Sequence, residues 1–97
     1  MMVRHIVMYW LKDQAQIEKT IGILRSMEGK IPGLLHIEAG RDTLHSDRSC
    51  DLCLNTLFES AQALEAYRTH PVHIPVQQHM HSVTERSASA DYEVTEV

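Results

Sequence analysis

The segment VRHIVMYWL, residues 3–11, constrains the fold more than any other part of the chain. Its β-branched and aromatic residues are typical of a strand, in which successive side chains point to opposite faces. Both faces are largely apolar: one holds His5, Val7 and Tyr9, and the other holds Ile6, Met8 and Trp10. Because apolar surface is costly to expose to water, this strand must be covered on both sides.

The length of the chain decides what covers the second side. We expect residues 1–97 to form a single domain, and a domain of this size buries only about two-thirds of the surface that its unfolded chain exposes. Helices are expected to cover the side of His5, Val7 and Tyr9. The other side would then face water unless a second sheet packs on it. We therefore predict a homodimer formed through the outward faces of two sheets.

The remaining elements follow in a simple order. A capping box at Asp13 starts a predicted helix that ends near Gly29, with apolar residues at helical spacing: Ile17, Ile21, Leu24 and Met27. Alternating apolar and polar residues predict strands over 34–41, 50–58 and 86–94. A second helix is predicted from Ser60 to near His70, and a third over 76–83, with a turn bracketed by Pro71 and Pro75 between them. This order predicts an α+β, ferredoxin-like βαββαβ fold, with a four-stranded antiparallel sheet and helices on one face.

The composition argues against nucleic-acid and membrane partners. The formal net charge is −4 with neutral histidines, and the nine Lys and Arg residues are scattered along the chain. A phosphate backbone is bound by clustered basic residues, so nucleic acid is not an expected partner. A membrane helix needs about twenty apolar residues in a row, and no such run is present. Arg4 and His5 interrupt the apolar start of the chain, so we expect a cytoplasmic protein.

Two cysteines have the CxxC spacing of a redox pair. Redox pairs of this kind lie at a helix N-terminus, where the thiolate is stabilised. Cys50 and Cys53 instead begin a predicted strand, which would turn their side chains to opposite faces. We therefore predict two reduced thiols with no shared function.

Histidines of the C-terminal half raise the question of a metal site. The ring nitrogens of His70, His73, His79 and His81 are candidate ligands, but their spacing does not match a zinc site, and no carboxylate or thiol falls at a suitable offset. His79 and His81 are expected on the solvated side of the third helix. We predict neither a metal nor a cofactor.

A tyrosine and two histidines fall together in AYRTHPVH, residues 66–73. An imidazole with its ordinary pKa of about 6.5 can accept a proton from a carbon next to a carbonyl, and a phenol can donate a hydrogen bond to the enolate oxygen that forms. His73 and Tyr67 are the candidates for these two roles. In a purely structural alternative, His73 satisfies a free carbonyl of the turn, Tyr67 belongs to the core, and His5 is a core histidine.

Five segments, in this order, resemble the stress-responsive A/B barrel (Dabb) family: VRHIVMYWLKD, IPGLLHIEAGRD, TLFES, LEAYRTHPVH and ADYE. The resemblance covers nearly the whole chain. It implies a dimeric α+β barrel, in which two four-stranded sheets face each other. It also implies that each subunit keeps its own cavity between its sheet and its helices.

The resemblance also suggests residue roles. A plant polyketide cyclase of this family closes a linear polyketide by an aldol reaction, and its catalytic Tyr and His lie in a Tyr-x-x-His-Pro-x-His segment. The matching residues are Tyr67 and His73, which are thereby implied to be the catalytic pair. Residues implied to line the substrate cavity are His5, Val7, Tyr9, Ile21 and Leu24. Ile21 and Leu24 stand where that enzyme has bulky aromatic residues, so a different substrate is implied.

Three functions follow from these observations. The first is a small enzyme or binding protein, lyase-like or cyclase-like if it is an enzyme, whose cavity takes a carbonyl-containing small molecule. The second is a structural or stress-associated dimeric barrel without an enzymatic activity. The third, suggested by the fold alone, is a cofactor-free monooxygenase. A cavity of a few hundred cubic ångströms beside His73 favours the first, and a cavity filled by Tyr9, Tyr67 and Met80 favours the second.

Overall fold

The computed structural model describes residues 1–95, which form four strands and three α-helices. The elements are β1 (Val3–Leu11), α1 (Ile17–Arg25), β2 (Leu34–Arg41), β3 (Leu52–Phe58), α2 (Ala61–Arg68), α3 (His73–Val83) and β4 (Thr84–Glu93). The strands make one sheet in the order β2-β3-β1-β4, and all three neighbouring pairs are antiparallel. The predicted ferredoxin-like fold is confirmed. No helix of these residues is long and apolar enough to span a membrane.

The first strand lies in the interior of the sheet, between β3 and β4, as its apolar character predicts. Val3, Val7 and Leu11 point to the helices and are buried. The alternate side chains Ile6, Met8 and Trp10 point the other way and form what we call the outer face of the sheet. No helix of residues 1–95 covers this face, and Met8 is 40% exposed there. Trp10 is partly sheltered on this face, because Arg86 stacks on its ring at 4.4 Å.

The core fills the space between the sheet and the helices. Its fully buried members include Leu24, Met27, Leu52, Leu54 and Phe58. The inward side chains of β3 alternate strictly with outward ones, so this strand contributes a continuous row to the core. The helices therefore cover only one face of the sheet, which is the face that carries the candidate site residues.

Several predicted boundaries were wrong, including the start of the last strand, which is Thr84 rather than residue 86. Asp13 caps a single 3-10 turn over Gln14–Gln16, accepting a hydrogen bond from the Ala15 amide at 2.9 Å, and α1 ends at Arg25 rather than near Gly29. Cys50 precedes β3, which begins at Leu52. The third helix begins at His73, before Pro75, because proline is tolerated in the first turn of a helix.

The turn before β2 contacts α2 so closely that it requires glycine at position 33. Gly33 has a φ of +81°, and a Cβ at this residue would lie 2.6 Å from the Cβ of Ala63. Gly29 also has a positive φ, of +75°, but a Cβ there would meet no atom within 4 Å. The turn before β2 thus fixes how closely α2 approaches the sheet.

Candidate functional site

A cavity of about 230 Å³ lies between the inner face of the sheet and the helices α2 and α3. Its inner wall is apolar and buried, and includes Leu54, Val76 and Met80. The exposed members of its lining are polar: Arg68, Gln77, His81, Ser87 and Ser89. The cavity therefore has an apolar floor and a polar mouth between α3 and the edge strand β4.

His73 enters the cavity from the first residue of α3. Helix α2 ends at Arg68, because His70 precedes Pro71 and a residue before proline disfavours the helical backbone conformation. The chain then reverses through a turn in which the His73 amide donates to the His70 carbonyl at 2.9 Å. This reversal stacks the His73 ring on the ring of Tyr67, with centroids 3.9 Å apart and an angle of 26° between the planes.

The hydrogen bonding of His73 determines which nitrogen can act as a base. Its Nδ1 lies 3.3 Å from the carbonyl oxygen of Arg68. A carbonyl oxygen only accepts hydrogen bonds, so this contact assigns the proton to Nδ1 and leaves a lone pair on Nε2. Partial burial lowers the pKa of His73 below its ordinary value, and this effect outweighs the opposing effect of the Arg68 carbonyl. The neutral ring is thus the main form at pH 7.

Tyr67 is the most deeply buried polar residue of the cavity. It is 3% exposed, and its ring also packs on Phe58, with centroids 5.0 Å apart. Its hydroxyl makes no hydrogen bond to any residue that the structure describes, but it is not fully buried: among residues 1–95, Thr84 Oγ1 is the one fully buried side-chain N or O atom without a partner. Burial raises the pKa of Tyr67 above its ordinary value, so the phenol stays protonated and can donate.

Tyr9 adds a second phenol to the same cavity. Burial, with a smaller effect of the Cys53 charge, raises the pKa of Tyr9 to about 12. Both phenols are therefore hydrogen-bond donors at neutral pH, when the His73 ring is unprotonated.

His5 reaches the cavity from β1 and is held by an acidic residue of β4. Its Nδ1 contacts Oδ1 of Asp91, which lies opposite it in the β1–β4 pairing. The ring of His5 meets that of Tyr67 edge-on, with centroids 6.3 Å apart. A carboxylate on Nδ1 orients the ring and directs its Nε2 away from Asp91. Sequence reasoning did not single out Asp91, although pairing the first strand with the last in antiparallel register would have found it.

Six of the seven residues proposed from the sequence line this cavity: His5, Val7, Tyr9, Leu24, Tyr67 and His73. Ile21 is buried in the core and is absent from the lining. His81 is exposed, as expected, and lies at the mouth of the cavity. The expectation for His79 was wrong, because its Nε2 lies 2.9 Å from the hydroxyl of the fully buried Thr20, between α3 and α1.

A larger groove, of about 380 Å³, lies along β2. It is lined by Arg25, Glu38, Ala39, Gly40, Arg41, Cys53 and Asn55. Its cations are already engaged, since Arg25 donates to the Ala39 carbonyl at 3.0 Å and Arg41 pairs with Glu18 at 2.8 Å. The smaller cavity, which brings together a base and two donors, is therefore the better candidate site.

The described residues also bear on metals and thiols. Within residues 1–95, no group of three or more His, Cys, Asp or Glu side chains is placed to hold a metal ion. Cys50 and Cys53 are free thiols, and burial raises the pKa of both, which favours the protonated thiol at neutral pH. That they share no function stays a prediction.

Comparison with known proteins gives a family and a fold. The family model described as the stress responsive A/B barrel domain matches residues 3–94. A dimeric protein of unknown function and ferredoxin-like fold from Bacteroides fragilis is 24% identical, with a TM-score of 0.83 and 96% of each chain covered. Other bacterial structures of this fold are likewise described as dimeric. The search of curated proteins finds no match.

Two of the similar structures are enzymes. The hydroxynitrile lyase from Passiflora edulis is 18% identical with a TM-score of 0.84, and the alignment covers 99% of this chain and 95% of that one. SnoaB, a cofactor-independent oxygenase from Streptomyces nogalater, is 11% identical with a TM-score of 0.78 at the same coverage. At these identities the likeness shows the fold alone.

Proposed function

We propose that this chain, which belongs to the stress responsive A/B barrel family, binds a small carbonyl compound and removes a proton from the carbon next to the carbonyl group. Nε2 of His73 takes the proton, and the electron pair of the broken C–H bond moves into the carbonyl oxygen. The Tyr67 hydroxyl donates a hydrogen bond to that oxygen as it becomes negative. His5, oriented by Asp91, helps to position the substrate.

One observation carries this proposal. The cavity holds an imidazole with a free nitrogen and, stacked on it at 3.9 Å, a phenol whose ring is buried but whose hydroxyl is not a fully buried unpaired atom. Both rings line the same cavity, so the imidazole nitrogen and the phenol hydroxyl can act on one ligand. The two rings also present complementary roles at neutral pH, because the base is unprotonated and the donor is protonated.

The volume of the cavity supports this function over a purely structural barrel. Tyr9, Tyr67 and Met80 line the cavity and do not fill it, and about 230 Å³ remains beside His73. This is somewhat below the roughly 300–1,000 Å³ typical of sites for drug-sized ligands, so the substrate is small. The oxygenase alternative has the fold likeness to SnoaB as its support, and no residue of the cavity favours it specifically.

We also propose that the chain forms a homodimer through its outer face. The support is the apolar row of Ile6, Met8 and Trp10, in which Met8 is 40% exposed and the other two are partly buried, together with the dimeric state of similar structures. This arrangement leaves the cavity of each subunit on the opposite side of its own sheet.

Hydrogen–deuterium exchange tests the proton abstraction without knowledge of the natural substrate. In D₂O, the protein should accelerate loss of the C4 proton signals of pentane-2,3-dione, a small neutral carbonyl compound, in ¹H NMR spectra. His73→Gln should lower this acceleration by about 10²-fold or more, because general-base catalysis typically contributes about 10²–10⁴.

A second histidine supplies the matched control. His70 lies three residues earlier, and its Nδ1 accepts from the Val72 amide at 3.1 Å, within the turn and outside the cavity lining. His70→Gln should retain most of the exchange activity. Equal activity of His73→Gln and the wild type would overturn the assignment of His73 as the base.

A further inference from the structure

The mouth of the cavity holds one residue with a permanent positive charge, Arg68, although the protein as a whole carries a net charge of −4. Arg68 and His81 lie at the mouth, and His5 and His73 lie further in. Of the described residues that line the cavity, none is an Asp or a Glu. A positive charge at this opening, in a protein whose net charge is negative, attracts an anion to the cavity rather than to the rest of the surface.

The acidic residues nearest the cavity are already paired. Asp91 contacts His5 from β4, and Glu65 contacts Nε of Arg68 at 3.3 Å on the surface of α2. The Arg68–Glu65 pair is exposed, with half of the Arg68 side chain and 79% of the Glu65 side chain accessible. Exposed pairs of this kind contribute about 1 kcal/mol or less, so an anion at the mouth can compete for the guanidinium at little cost.

The charge of Arg68 reaches the groups that would carry out the chemistry. Burial has the largest effect on the pKa of His73 and of Tyr67; the positive charge of Arg68 has a smaller effect than the other influences and lowers both. The same field stabilises a negative ligand beside these rings. A bidentate guanidinium contact is also well suited to a planar carboxylate.

The size of the cavity limits the rest of the ligand. Taking about 30 Å³ for each water-sized group, 230 Å³ accommodates roughly seven non-hydrogen atoms. The apolar floor formed by Leu24, Leu54 and Val76 suits a short hydrocarbon part. The phenols of Tyr9 and Tyr67 suit a carbonyl oxygen between the floor and the mouth.

We infer that the substrate class is a short oxo acid, whose carboxylate lies at the mouth against Arg68 and His81 and whose carbonyl group lies beside Tyr67. This inference rests on the proposed function, because the carbonyl position is the one at which His73 would act. The charge preference is an additional claim and is tested separately.

Two probes of nearly equal shape separate charge from size. 2-Oxobutanoate and pentane-2,3-dione differ by exchange of a carboxylate for an acetyl group. We expect isothermal titration calorimetry at pH 7 to give at least tenfold tighter binding of the oxo acid. Arg68→Gln should reduce this preference to less than threefold. Arg48→Gln, which removes an exposed arginine of the loop before β3, should leave the preference unchanged.

The possible results distinguish this inference from the proposed function. Equal binding of both probes to the wild type, or an unchanged preference in Arg68→Gln, would overturn the inference. If hydrogen–deuterium exchange of the dione is still accelerated in either case, the proposed function is unaffected. Selective binding of 2-oxobutanoate without exchange of either probe would overturn the proposed function and support the charge preference. Binding of neither probe would overturn both.

Discussion

Replacing Tyr67 by phenylalanine separates the functional role of this residue from its structural role. The change removes one hydroxyl and keeps the ring, which packs on Phe58 at 5.0 Å and on His73 at 3.9 Å. The residue is 3% exposed, so the ring makes a full contribution to the core. Since the hydroxyl has no hydrogen-bond partner among the described residues, its removal breaks no contact that holds the fold.

The expected effects differ in size. The hydroxyl lines the cavity and is not a fully buried unpaired atom, so Tyr67→Phe should change the free energy of unfolding by less than about 1 kcal/mol. For a domain of this length, 1 kcal/mol moves the Tm by roughly 4–8 °C. Exchange of pentane-2,3-dione should fall by about 10²–10³, the usual loss when one donor to a developing oxyanion is removed.

Thermal unfolding followed by circular dichroism and exchange followed by NMR measure the two effects on the same sample. Tyr92→Phe is the control for the exchange, because Tyr92 is 49% exposed on the outer face, away from the cavity. It should leave the rate of exchange unchanged. A fall in the Tm of Tyr67→Phe by about 4 °C or more, with exchange unchanged, would mean that the hydroxyl is structural and would refute the reasoning.

Three further predictions concern the interface, a turn and a titration. Met8→Glu places a charge on the outer face and should give monomers in sedimentation analysis. Leu44→Glu, which changes an exposed loop, should stay dimeric. A wild type that is monomeric at micromolar concentration would contradict the proposed interface. Gly33→Ala should lower the Tm more than Gly29→Ala, because both introduce backbone strain but only the former brings a Cβ to 2.6 Å from Ala63; equal losses would show that the contact relaxes freely. The pKa of His73 in the folded state is below its unfolded value of about 6.5, so the folded state binds fewer protons than the unfolded state and loses stability as the pH falls below about 6.5. The Tm of His73→Gln should therefore fall less between pH 7 and pH 5 than the Tm of the wild type. Identical falls would argue against the lowered pKa.

The order of elements was predictable because each one depends on local patterns. Both faces of the first strand are apolar, and the interior place of β1 in the sheet follows from this feature. The boundaries were less predictable, because they depend on competition over one or two residues. Pro75 illustrates this: a proline signals a helix break in general, but in the first turn it removes no intrahelical hydrogen bond, and α3 begins at His73.

The site was predictable only in part. Tyr67 and His73 are six residues apart, so a short motif was sufficient to associate them. Asp91 contacts His5 across 86 positions of sequence, and this pair depends on the register between the first and last strands. Arg68 and His81 are ordinary surface residues in the sequence, and their position at one opening follows from how α2 and α3 pack over the sheet. Contacts of this kind are set by tertiary packing and not by local pattern.

The alternation of β1 connects the stability of the domain with its proposed chemistry. An empty apolar cavity of 230 Å³ would cost about 5.5 kcal/mol at roughly 24 cal/mol per Å³, which is comparable with the whole stability of a small domain. The polar mouth lowers this cost, but the inner face still packs less tightly than a filled core would. Burial of Ile6, Met8 and Trp10 in the proposed dimer would add stability on the opposite face, where no cavity residue is affected. Because one residue step along β1 separates the two faces, the proposed dimer would let this short chain keep an unfilled site that a monomer of 97 residues would tolerate poorly.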